Sequence, residues 1–432
     1  MTYKKAIEYI ESLNSAGMKF GLERMQRVLS LCGDPHHRLK YIHVAGTNGK
    51  GSVSRMIQSI LTAAGYRTGL FSSPAVTGLR DTITVDGIPI SKQDFEEIAG
   101  KLCSLQENMG HKRQTEFEFI TALAFCYFEQ SKTDICVVEC GLGGQDDATN
   151  VIPEPLAAVF TPISLDHTGI LGETIAEIAS IKCGIIKFPC KVVTSPVQHE
   201  DALAVIMQKA AEKGLTVNMP SSKAAVPLSV LPGFTEFEYD SMKLALSLTG
   251  KFQIDNALTA IETVRLIEKN EFPVSRESII KGLSGVSMPC RHEVLRRNPL
   301  VMIDGSHNIQ GIAALADTLQ QNSFYELTMV CGMLADKDTA GCMSLLAPFC
   351  RRVICCTPDI SRALPAQALA ETLMHTSPSL DVKATDCPAD ALELAMRYKD
   401  APLLVSGSFY VACALRPILL KHINGKIYTI MD

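Results

Sequence analysis

Residues 41–52 decide the fold, and they read Tyr41-Ile42-His43-Val44-Ala45-Gly46-Thr47-Asn48-Gly49-Lys50-Gly51-Ser52. The largely apolar run Tyr41–Ala45 predicts a buried strand, and Gly51–Ala64 has the spacing of a helix. Between them the glycines let several backbone N–H groups turn inward, while the helix N-terminus and Lys50 add positive potential. The stretch therefore predicts a phosphate-binding loop. It has one residue fewer between its glycines than the general pattern G-x-x-x-x-G-K-[ST], and an extra glycine before its serine.

Short apolar runs alternate with helical patterns over most of the chain. The predicted strands are Tyr41–Ala45, Thr68–Ser72, Ile135–Cys140, Ala157–Pro162, Lys191–Thr194, Val301–Asp304, Leu327–Cys331, Val353–Thr357 and Leu403–Ser406. The predicted helices are Gly51–Ala64, Phe117–Glu129, Ile175–Ile186, Ala202–Lys213, Asn256–Lys269, Ile312–Gln320 and Ala366–Met374. Continuously apolar strands that alternate with helices are typical of α/β proteins with mainly parallel sheets.

A break in this alternation at Ser287–Arg291 predicts the domain boundary, because the alternation restarts at Val301. We expect one domain over residues 1–290, which carries the phosphate loop, and a second over residues 291–432. The total of 432 residues fits two or three domains of ordinary size.

Composition excludes several classes of protein. The chain has 41 Lys and Arg against 46 Asp and Glu, a net charge of −5, which disfavours a general nucleic-acid or anionic-membrane coat. The first residues carry acids and lack an apolar signal core, and the longest apolar runs are too short to span a bilayer. The 15 cysteines are scattered without a Cys-x-x-Cys pair, which favours a reduced cytoplasmic chain over a disulfide framework.

Motifs that occur in order along almost the whole chain resemble those of the folylpolyglutamate synthase/dihydrofolate synthase family, in the Mur ligase superfamily. Besides the phosphate loop they are Phe20–Met25, Ser73-Pro74, Thr115–Glu118, Glu139–Gly144, Asp147–Asn150, Leu165–Thr168, Lys182–Lys187, Pro289–Arg291 and Asp304–Asn308. The resemblance implies a P-loop ATPase domain of the Mur ligase type plus a smaller Rossmann-like C-terminal α/β domain. It also implies an active site between the two domains.

The same resemblance implies a reaction. An ATP-dependent ligase would add L-glutamate to tetrahydrofolate or folylpolyglutamate through an acyl phosphate, with dihydropteroate as a further acceptor. The expected partners are small molecules only: ATP, L-glutamate and a folate, with no nucleic acid and no membrane. The expected form is a cytoplasmic monomer.

Site residues are likewise implied by matching positions. For ATP they are Gly46, Thr47, Asn48, Gly49, Lys50, Gly51, Ser52, Asn256, Arg291 and Asp304. For two Mg²⁺ ions they are Ser73, Glu139, His167 and Lys182, with Lys182 carbamylated by CO₂. For the folate they are Phe20, Gly21, Thr115, Phe117, Asp147 and Ala148. The residues expected to act in catalysis are Lys50, Lys182 and His307.

Physical arguments support some of these positions. Glu139 ends an apolar strand, where α/β folds place their sites and where a buried carboxylate is costly unless it meets a cation. Lys182 lies on a helix of otherwise apolar and small residues, and burial favours the neutral amine that carbamylation requires. A guanidinium such as that of Arg291 suits phosphate binding.

Departures from the family pattern leave the acceptor open. Ala75, Gln145 and Phe252 stand where the family has His, Arg and His, Asp146 is an added acid, and the C-terminal motif is Phe409–Ala414. The alternatives are an amide ligase with a non-folate carboxylate acceptor and a non-catalytic nucleotide-binding protein. A cell-wall Mur ligase is less expected, because the loop begins at residue 46 and leaves no room before it for a UDP-binding domain.

Overall fold

A computed structural model describes residues 1–13, 21–107, 114–268, 272–398 and 400–428. The chain forms two compact units. The first comprises Met1–Ala225, Tyr239–Leu244 and Asp255–Val286, and the second Val226–Glu238, Ala245–Ile254 and Ser287–Asp432. The predicted boundary at residues 290–291 stays a prediction.

The elements alternate as the sequence predicts. The helices are α1 (Tyr3–Ser12), α2 (Glu23–Leu31), α3 (Lys50–Ala63), α4 (Lys92–Glu107), α5 (Glu116–Gln130), α6 (Thr168–Leu171), α7 (Ile175–Lys182), α8 (Glu200–Ala211), α9 (Phe252–Glu268), α10 (Arg276–Ser284), α11 (Ile309–Gln321), α12 (Thr339–Leu346), α13 (Ala366–Thr376), α14 (Pro388–Met396) and α15 (Phe409–Tyr428). The strands are β1 (Tyr41–Ala45), β2 (Thr68–Phe71), β3 (Ile83–Val85), β4 (Ile88–Pro89), β5 (Ile135–Glu139), β6 (Pro155–Phe160), β7 (Lys191–Thr194), β8 (Val217–Asn218), β9 (Ala225–Leu231), β10 (Phe234–Tyr239), β11 (Met242–Leu246), β12 (Glu293–Arg297), β13 (Leu300–Ile303), β14 (Leu327–Cys331), β15 (Cys350–Cys356), β16 (Asp381–Thr385) and β17 (Leu403–Ser406).

The first unit is built on an eight-stranded sheet of order β4-β3-β2-β5-β1-β6-β7-β8. Strands β2, β5, β1, β6, β7 and β8 are parallel, and β3 and β4 add an antiparallel edge. In register, Val44 of β1 lies beside Glu139, the last residue of β5, and Ala45 lies beside Phe160, the last residue of β6. The carboxyl ends of these three strands therefore meet at one edge, where doubly wound folds bind ligands.

Two apolar clusters hold this sheet. One contains buried side chains of α1, α2, α4 and α5 with Tyr41, Phe71 and Val138 of the sheet. The other contains side chains of α7 and α8 with Ala158, Phe160 and Val192. All five residues of β1 are buried, as are all five of β5, which is what strands covered on both faces require.

The second unit contains a six-stranded sheet of order β12-β13-β17-β14-β15-β16, in which only the β12 pairing is antiparallel. Side chains of α11, α12 and α13 pack on it in one apolar cluster. A three-stranded sheet, β11-β10-β9, completes the architecture. The predicted α/β fold with mainly parallel sheets is confirmed. None of the helices in the described part of the chain combines the length and apolarity that a membrane span requires.

The helix after the phosphate loop is fixed from outside by α10, which packs on α3. The Ser59 hydroxyl of α3 donates to the carbonyl of Gly282 in α10 at 2.7 Å. A Cβ at Gly282 would lie 2.5 Å from Cα of Ile60, whereas a Cβ at Gly285 would meet nothing closer than 3.5 Å. The close approach of the two helices therefore depends on Gly282.

We expect Gly282→Ala to lower the free energy of unfolding by about 1–3 kcal/mol, because the added methyl group must push two backbones apart. Gly285→Ala is the matched control, and it should leave stability unchanged or slightly raised, since alanine fits there and restricts the unfolded chain. Urea unfolding of both variants checks this. Equal stability of the two would contradict the proposed contact.

Candidate active site

The phosphate loop connects β1 to α3 as predicted. The N–H groups of Thr47 and Asn48 donate to the carbonyl of Pro162, at 2.9 and 3.2 Å, and the Thr47 hydroxyl donates to the carbonyl of Ser164. Gly49 precedes α3 and no described side chain caps that end. The N–H groups of the first turn, which includes Lys50, Gly51 and the buried Ser52, therefore keep the positive potential that binds anions.

Two glycines make the shape of the loop possible. Gly49 has φ 85°, in the left-handed region, and a Cβ there would lie 2.7 Å from Oδ1 of Asn256. Gly46 has φ 152°, and a Cβ there would lie 1.9 Å from Oγ1 of Thr161. The structure thus places Asn256, a predicted nucleotide residue in α9, directly against the loop.

The two predicted catalytic lysines meet at one carbonyl. Nζ of Lys182 donates to the carbonyl of Gly46 at 2.8 Å, and Nζ of Lys50 donates to the carbonyls of Gly46 and Thr47, both at 3.2 Å. Lys182 is only 4% exposed. A Cβ at Gly144 would lie 2.6 Å from the carbonyl oxygen of Lys182, so this glycine lets the loop after β5 pass close to the end of α7.

Burial and, second to it, the nearby charge of Lys50 together lower the pKa of Lys182 to about 7, against the opposing effects of Cys140, Asp166 and Asp147. A large fraction of the Lys182 amine is therefore neutral at physiological pH. A neutral amine is the form that can react with CO₂, whereas an ordinary surface lysine stays charged.

Glu139 lies at the carboxyl end of β5 and is 3% exposed. The hydroxyl of Ser72 donates a short hydrogen bond to its Oε2. Burial lowers the pKa of Arg55 in α3, and the nearby charge of Glu139 opposes part of that shift. The sequence singled out Ser73, but the contact with Glu139 belongs to its neighbour Ser72. Neither Ser72 nor Arg55 has a local signal in the sequence.

His167 precedes the short helix α6 with φ 51° and is about one third exposed. The backbone N–H of His167 donates to Oδ1 of Asp166 at 2.9 Å. The ring Nε2 of His167 lies 3.9 Å from Oδ2 of the same carboxylate. The segment before it is hydrogen-bonded to the phosphate loop through Pro162 and Ser164. His167 therefore lies near the same edge of the sheet as Glu139.

Two of the predicted folate residues begin α5. Thr115 and Glu118 form a reciprocal capping box, and Arg24 pairs with Glu118 at 2.8 Å. The ring of Phe117 packs so closely on Gly141 that a Cβ there would lie 2.4 Å from it.

Two further predicted folate residues, Phe20 and Gly21, precede α2. Gly21 has φ 96°, and Phe20 lies outside the described residues.

The predicted folate acid Asp147 is a buried helix cap, beside the equally buried Ala148. Its carboxylate accepts from the N–H of Leu142 at 2.8 Å, and from the N–H of Thr149 at 3.0 Å and its hydroxyl. The Thr149 hydroxyl also lies 2.8 Å from Nε2 of His43, a buried histidine of β1. Asp147 thus has a structural role here, and its contact with a folate stays a prediction.

The second unit carries three further predicted residues. Asp304 is fully buried and accepts from the N–H groups of His292 at 2.9 Å and Ser306 at 2.8 Å. The guanidinium of Arg291 lies over the ring of Phe409, 4.9 Å from its centre, and Nδ1 of His307 lies 3.0 Å from the carbonyl of Gly305. Asp304 therefore holds both the backbone next to Arg291 and the turn that leads to His307.

Two positions of this unit have a distinctive local structure. Cys290, next to Arg291, has φ 58°, in the left-handed region that favours glycine. Phe252, which replaces the family's histidine, packs edge-on against the ring of His292 at 4.8 Å. His292 was not predicted from the sequence as a site residue; it is buried, and its Nε2 lies 3.5 Å from Oδ2 of Asp304.

The chain is similar to known proteins along almost its whole length. The Mur ligase middle domain matches residues 44–264, and the Mur ligase glutamate ligase domain matches residues 290–409. The chain is 35% identical to the folylpolyglutamate synthase of Lacticaseibacillus casei, over 97% of this chain and 99% of that protein. It is 33% identical to the dihydrofolate synthase/folylpolyglutamate synthase of Bacillus subtilis, over 96% and 98%. The structure of Mycobacterium tuberculosis folylpolyglutamate synthase complexed with ADP and AMPPCP superimposes with a TM-score of 0.86 at 30% identity, covering 96% and 98%.

These two domains define a Mur ligase. Within that class, the chain belongs to the folylpolyglutamate synthase/dihydrofolate synthase family, as the motifs predict. It is an ATP-dependent glutamate ligase.

Stability at acid pH provides a test of the buried network around His43. Burial lowers the pKa of His43 to about 3, against about 6.5 in the unfolded chain. The unfolded state therefore binds more protons between these values, so the contribution of His43 is fully present above pH 6.5 and is lost as the pH falls towards 3. The loss is about 1.4 kcal/mol per pH unit.

We expect His43→Gln to make the fall in unfolding free energy between pH 6.5 and pH 4 shallower by about that amount per unit, whatever its effect on stability at neutral pH. Urea unfolding at several pH values measures the slope. His375→Ala, at an exposed position of α13, is the control and should keep the wild-type slope. A His43→Gln slope equal to wild type would contradict the buried, neutral imidazole.

Proposed function

We propose that the enzyme joins the α-amine of L-glutamate to a side-chain carboxylate of a reduced folate, with ATP as the phosphoryl donor. The observation that carries the proposal is the meeting of Lys182 and Lys50 at the carbonyl of Gly46. It brings a buried amine of lowered pKa against a phosphate loop, an arrangement suited to phosphoryl transfer. The folate acceptor is supported by the relatives' names and by the motif at Thr115 and Phe117.

In the first step, a carboxylate oxygen of the acceptor attacks the γ-phosphorus of ATP, the bond to the β-phosphate oxygen breaks, and ADP leaves with the bonding electrons. The product is an acyl phosphate. The first-turn N–H groups of α3 and the ammonium of Lys50 would hold the phosphate oxygens and offset their charge. Asn256, which lies against Gly49, would hold the nucleotide.

In the second step, the amine of glutamate attacks the acyl carbon. The carbon–oxygen bond to phosphate breaks, inorganic phosphate leaves, and the amine loses a proton as the amide forms. No protein nucleophile is required. Positioning and charge neutralisation supply most of the acceleration in such transfers, which fits a site built from lysines, backbone N–H groups and buried carboxylates.

The residues at the strand ends fit Mg²⁺. Glu139 is a buried carboxylate at the edge where β5 and β1 end, Ser73 follows β2 at the same edge, and a carbamate on Lys182 would add an oxygen ligand. His167 completes the proposed set. When bound there, Mg²⁺ would neutralise phosphate charge and polarise the γ-phosphoryl group.

The surroundings of Lys182 support its carbamylation. Its neutral amine would attack CO₂ to form a carbon–nitrogen bond and release a proton to water, which leaves a carbamate anion where a protonated lysine would be a cation. The change exchanges the repulsion between Lys182 and Lys50 for attraction. Because both amines bond the carbonyl of Gly46, the effect on Lys50 would be direct.

We also propose roles for residues outside the phosphate loop. Arg291 and Asp304 would bind ATP and His307 would act in catalysis, all three from a C-terminal domain that begins at residue 291. Gly21, Thr115, Phe117, Asp147 and Ala148 would form the folate site, to which Phe20 would also belong. The enzyme would act as a cytoplasmic monomer.

The proposal is tested with purified protein, ATP, Mg²⁺, L-glutamate and either tetrahydrofolate or dihydropteroate whose carboxylate carries the heavy oxygen isotope. We expect ADP release that requires both acceptor and glutamate, a product heavier by one glutamyl residue, and one heavy oxygen in the released phosphate. Mass spectrometry of product and phosphate measures all three. Glutamylation without transfer of the heavy oxygen to phosphate would refute the acyl phosphate. Turnover with a different carboxylic acid and with neither folate acceptor would refute the folate acceptor.

We expect Lys182→Ala and Lys50→Ala each to lower kcat by at least about 100-fold. Lys50→Ala removes a charge that stabilises the phosphoryl group, and Lys182→Ala removes the carbamate proposed to bind Mg²⁺. Lys213→Ala, which removes an exposed lysine beyond α8, is the matched control and should keep wild-type kcat. Near-normal turnover of Lys182→Ala would exclude an essential carbamate.

The carbamate itself is expected to be visible by NMR. Protein equilibrated with isotope-labelled CO₂ should show a carbamate carbon signal that is lost in Lys182→Arg, which keeps the positive charge but cannot be carbamylated. Loss of the signal in CO₂-free buffer is the control. A carbamate signal that persists in Lys182→Arg would place the modification on another lysine.

A further inference from the structure

A cavity of about 610 Å³ lies in the first unit, away from the phosphate loop. Its lining includes Gln26 and Ser30 of α2, and also Asp34, His36 and His37, which precede β1. The phosphate loop follows the other end of the same strand, which is five residues long and therefore spans roughly 15 Å. The cavity is thus distinct from the site of ATP chemistry.

Three possible metal ligands lie together at this cavity. Asp34, His36 and His37 each present one donor atom, and the three atoms lie within 4.8 Å of one another. The short 3₁₀ helix Pro35–Arg38 holds the two imidazoles, whose ring centres are 4.2 Å apart at an angle of 78°. Local backbone structure alone therefore brings two nitrogens and a carboxylate to one place.

Two features of these ligands are unexplained by the fold. His36 is 3% exposed, and its buried Nδ1 has no hydrogen-bond partner among the described residues. Buried polar atoms without partners are rare in proteins and costly. Asp34 occupies the capping position of the short helix, yet its carboxylate makes no capping bond within the described structure. A cation bound through Nδ1 of His36 and the carboxylate of Asp34 would give both groups a partner.

We propose that Asp34, His36 and His37 bind a divalent transition-metal ion, with Zn²⁺ as the ion of best fit. Imidazole nitrogen with carboxylate oxygen is a donor set for zinc and its neighbours, whereas Mg²⁺ and Ca²⁺ take oxygen ligands. Donor atoms around tetrahedral zinc lie roughly 3.3 Å apart, since each bond is about 2.0 Å. His37 is exposed, so rotation of its side chain would close the remaining gap, and a water molecule would supply the fourth ligand.

Neighbouring cations limit the affinity of this site. Arg38 is engaged by Glu129 at 3.1 Å and by the carbonyl of Gly33 at 2.7 Å. Nζ of Lys187 donates to the carbonyls of Asn150, at 2.7 Å, and Ile152. Both charges still oppose a divalent cation, so we expect micromolar rather than tighter binding.

The test is a zinc titration of the full-length protein after treatment with a chelator, in excess Mg²⁺ and in competition with a chromophoric chelator. The wild type should bind one Zn²⁺ that Asp34→Asn and His37→Ala each weaken at least about tenfold. His375→Ala, which removes an exposed histidine far along the sequence, should bind as wild type. Asparagine keeps the size of Asp34 and tolerates its φ of 51°.

Cobalt substitution identifies the ligands. Co²⁺ should give the visible absorption of a tetrahedral nitrogen and oxygen site, without thiolate charge transfer from any of the 15 cysteines. Circular dichroism and thermal unfolding in chelator establish that each variant is folded. The proposal is overturned if wild type binds no zinc at micromolar concentration, if both variants bind as tightly as wild type, or if the cobalt spectrum is that of a thiolate site.

Discussion

The hydrogen bond from Nζ of Lys182 to the carbonyl of Gly46, 2.8 Å long, is the contact on which the candidate active site depends. It fixes the end of α7 against the phosphate loop, and it requires an almost fully buried amine. Burial makes a charged amine costly there and the charge of Lys50 adds to that cost, which is why its pKa falls to about 7. Gly144 is part of the same constraint, because any side chain at that position would collide with the backbone of Lys182. Anionic ligands or a carbamate would relieve the repulsion between Lys182 and Lys50.

The loop after β5 contains residues that are proposed to bind substrate and residues that stabilise the fold. This loop follows Glu139 and leads to Asp147, which caps a turn and is linked through Thr149 to His43 of β1. Burying a carboxylate is costly unless donors surround it, and Asp147 has several. A substitution in this loop would therefore change stability as well as substrate binding. Ala75, Gln145 and Phe252 replace basic residues of the family, and we expect them to affect binding of the acceptor more than binding of ATP. The glycines of the phosphate loop and Lys50 are all present.

The sequence predicted the features that depend on local pattern. The buried strands, the glycine-rich turn before α3 and the strand end at Glu139 all follow from periodicity and turn chemistry. The contacts made at long range could not be predicted, since residues 72 and 139, 43 and 149, and 46 and 182 meet only in the folded chain. His43 carried a usable signal, because a histidine inside an apolar strand needs a buried partner. The half-exposed edge strand β16 escaped prediction because Asp381–Thr385 lacks an apolar run.

The most direct test of the account is an NMR titration of lysine side chains in CO₂-free buffer, with the Lys182 signal assigned by its absence in Lys182→Arg. We predict that this amine titrates near pH 7, well below the ordinary pKa of about 10.4 for lysine. We also predict that binding of an ATP analogue raises the pKa of Lys182, because the negative charge of the phosphates favours the protonated form. Titration near the ordinary lysine value would contradict the buried contact with Gly46 and the mechanism built on it.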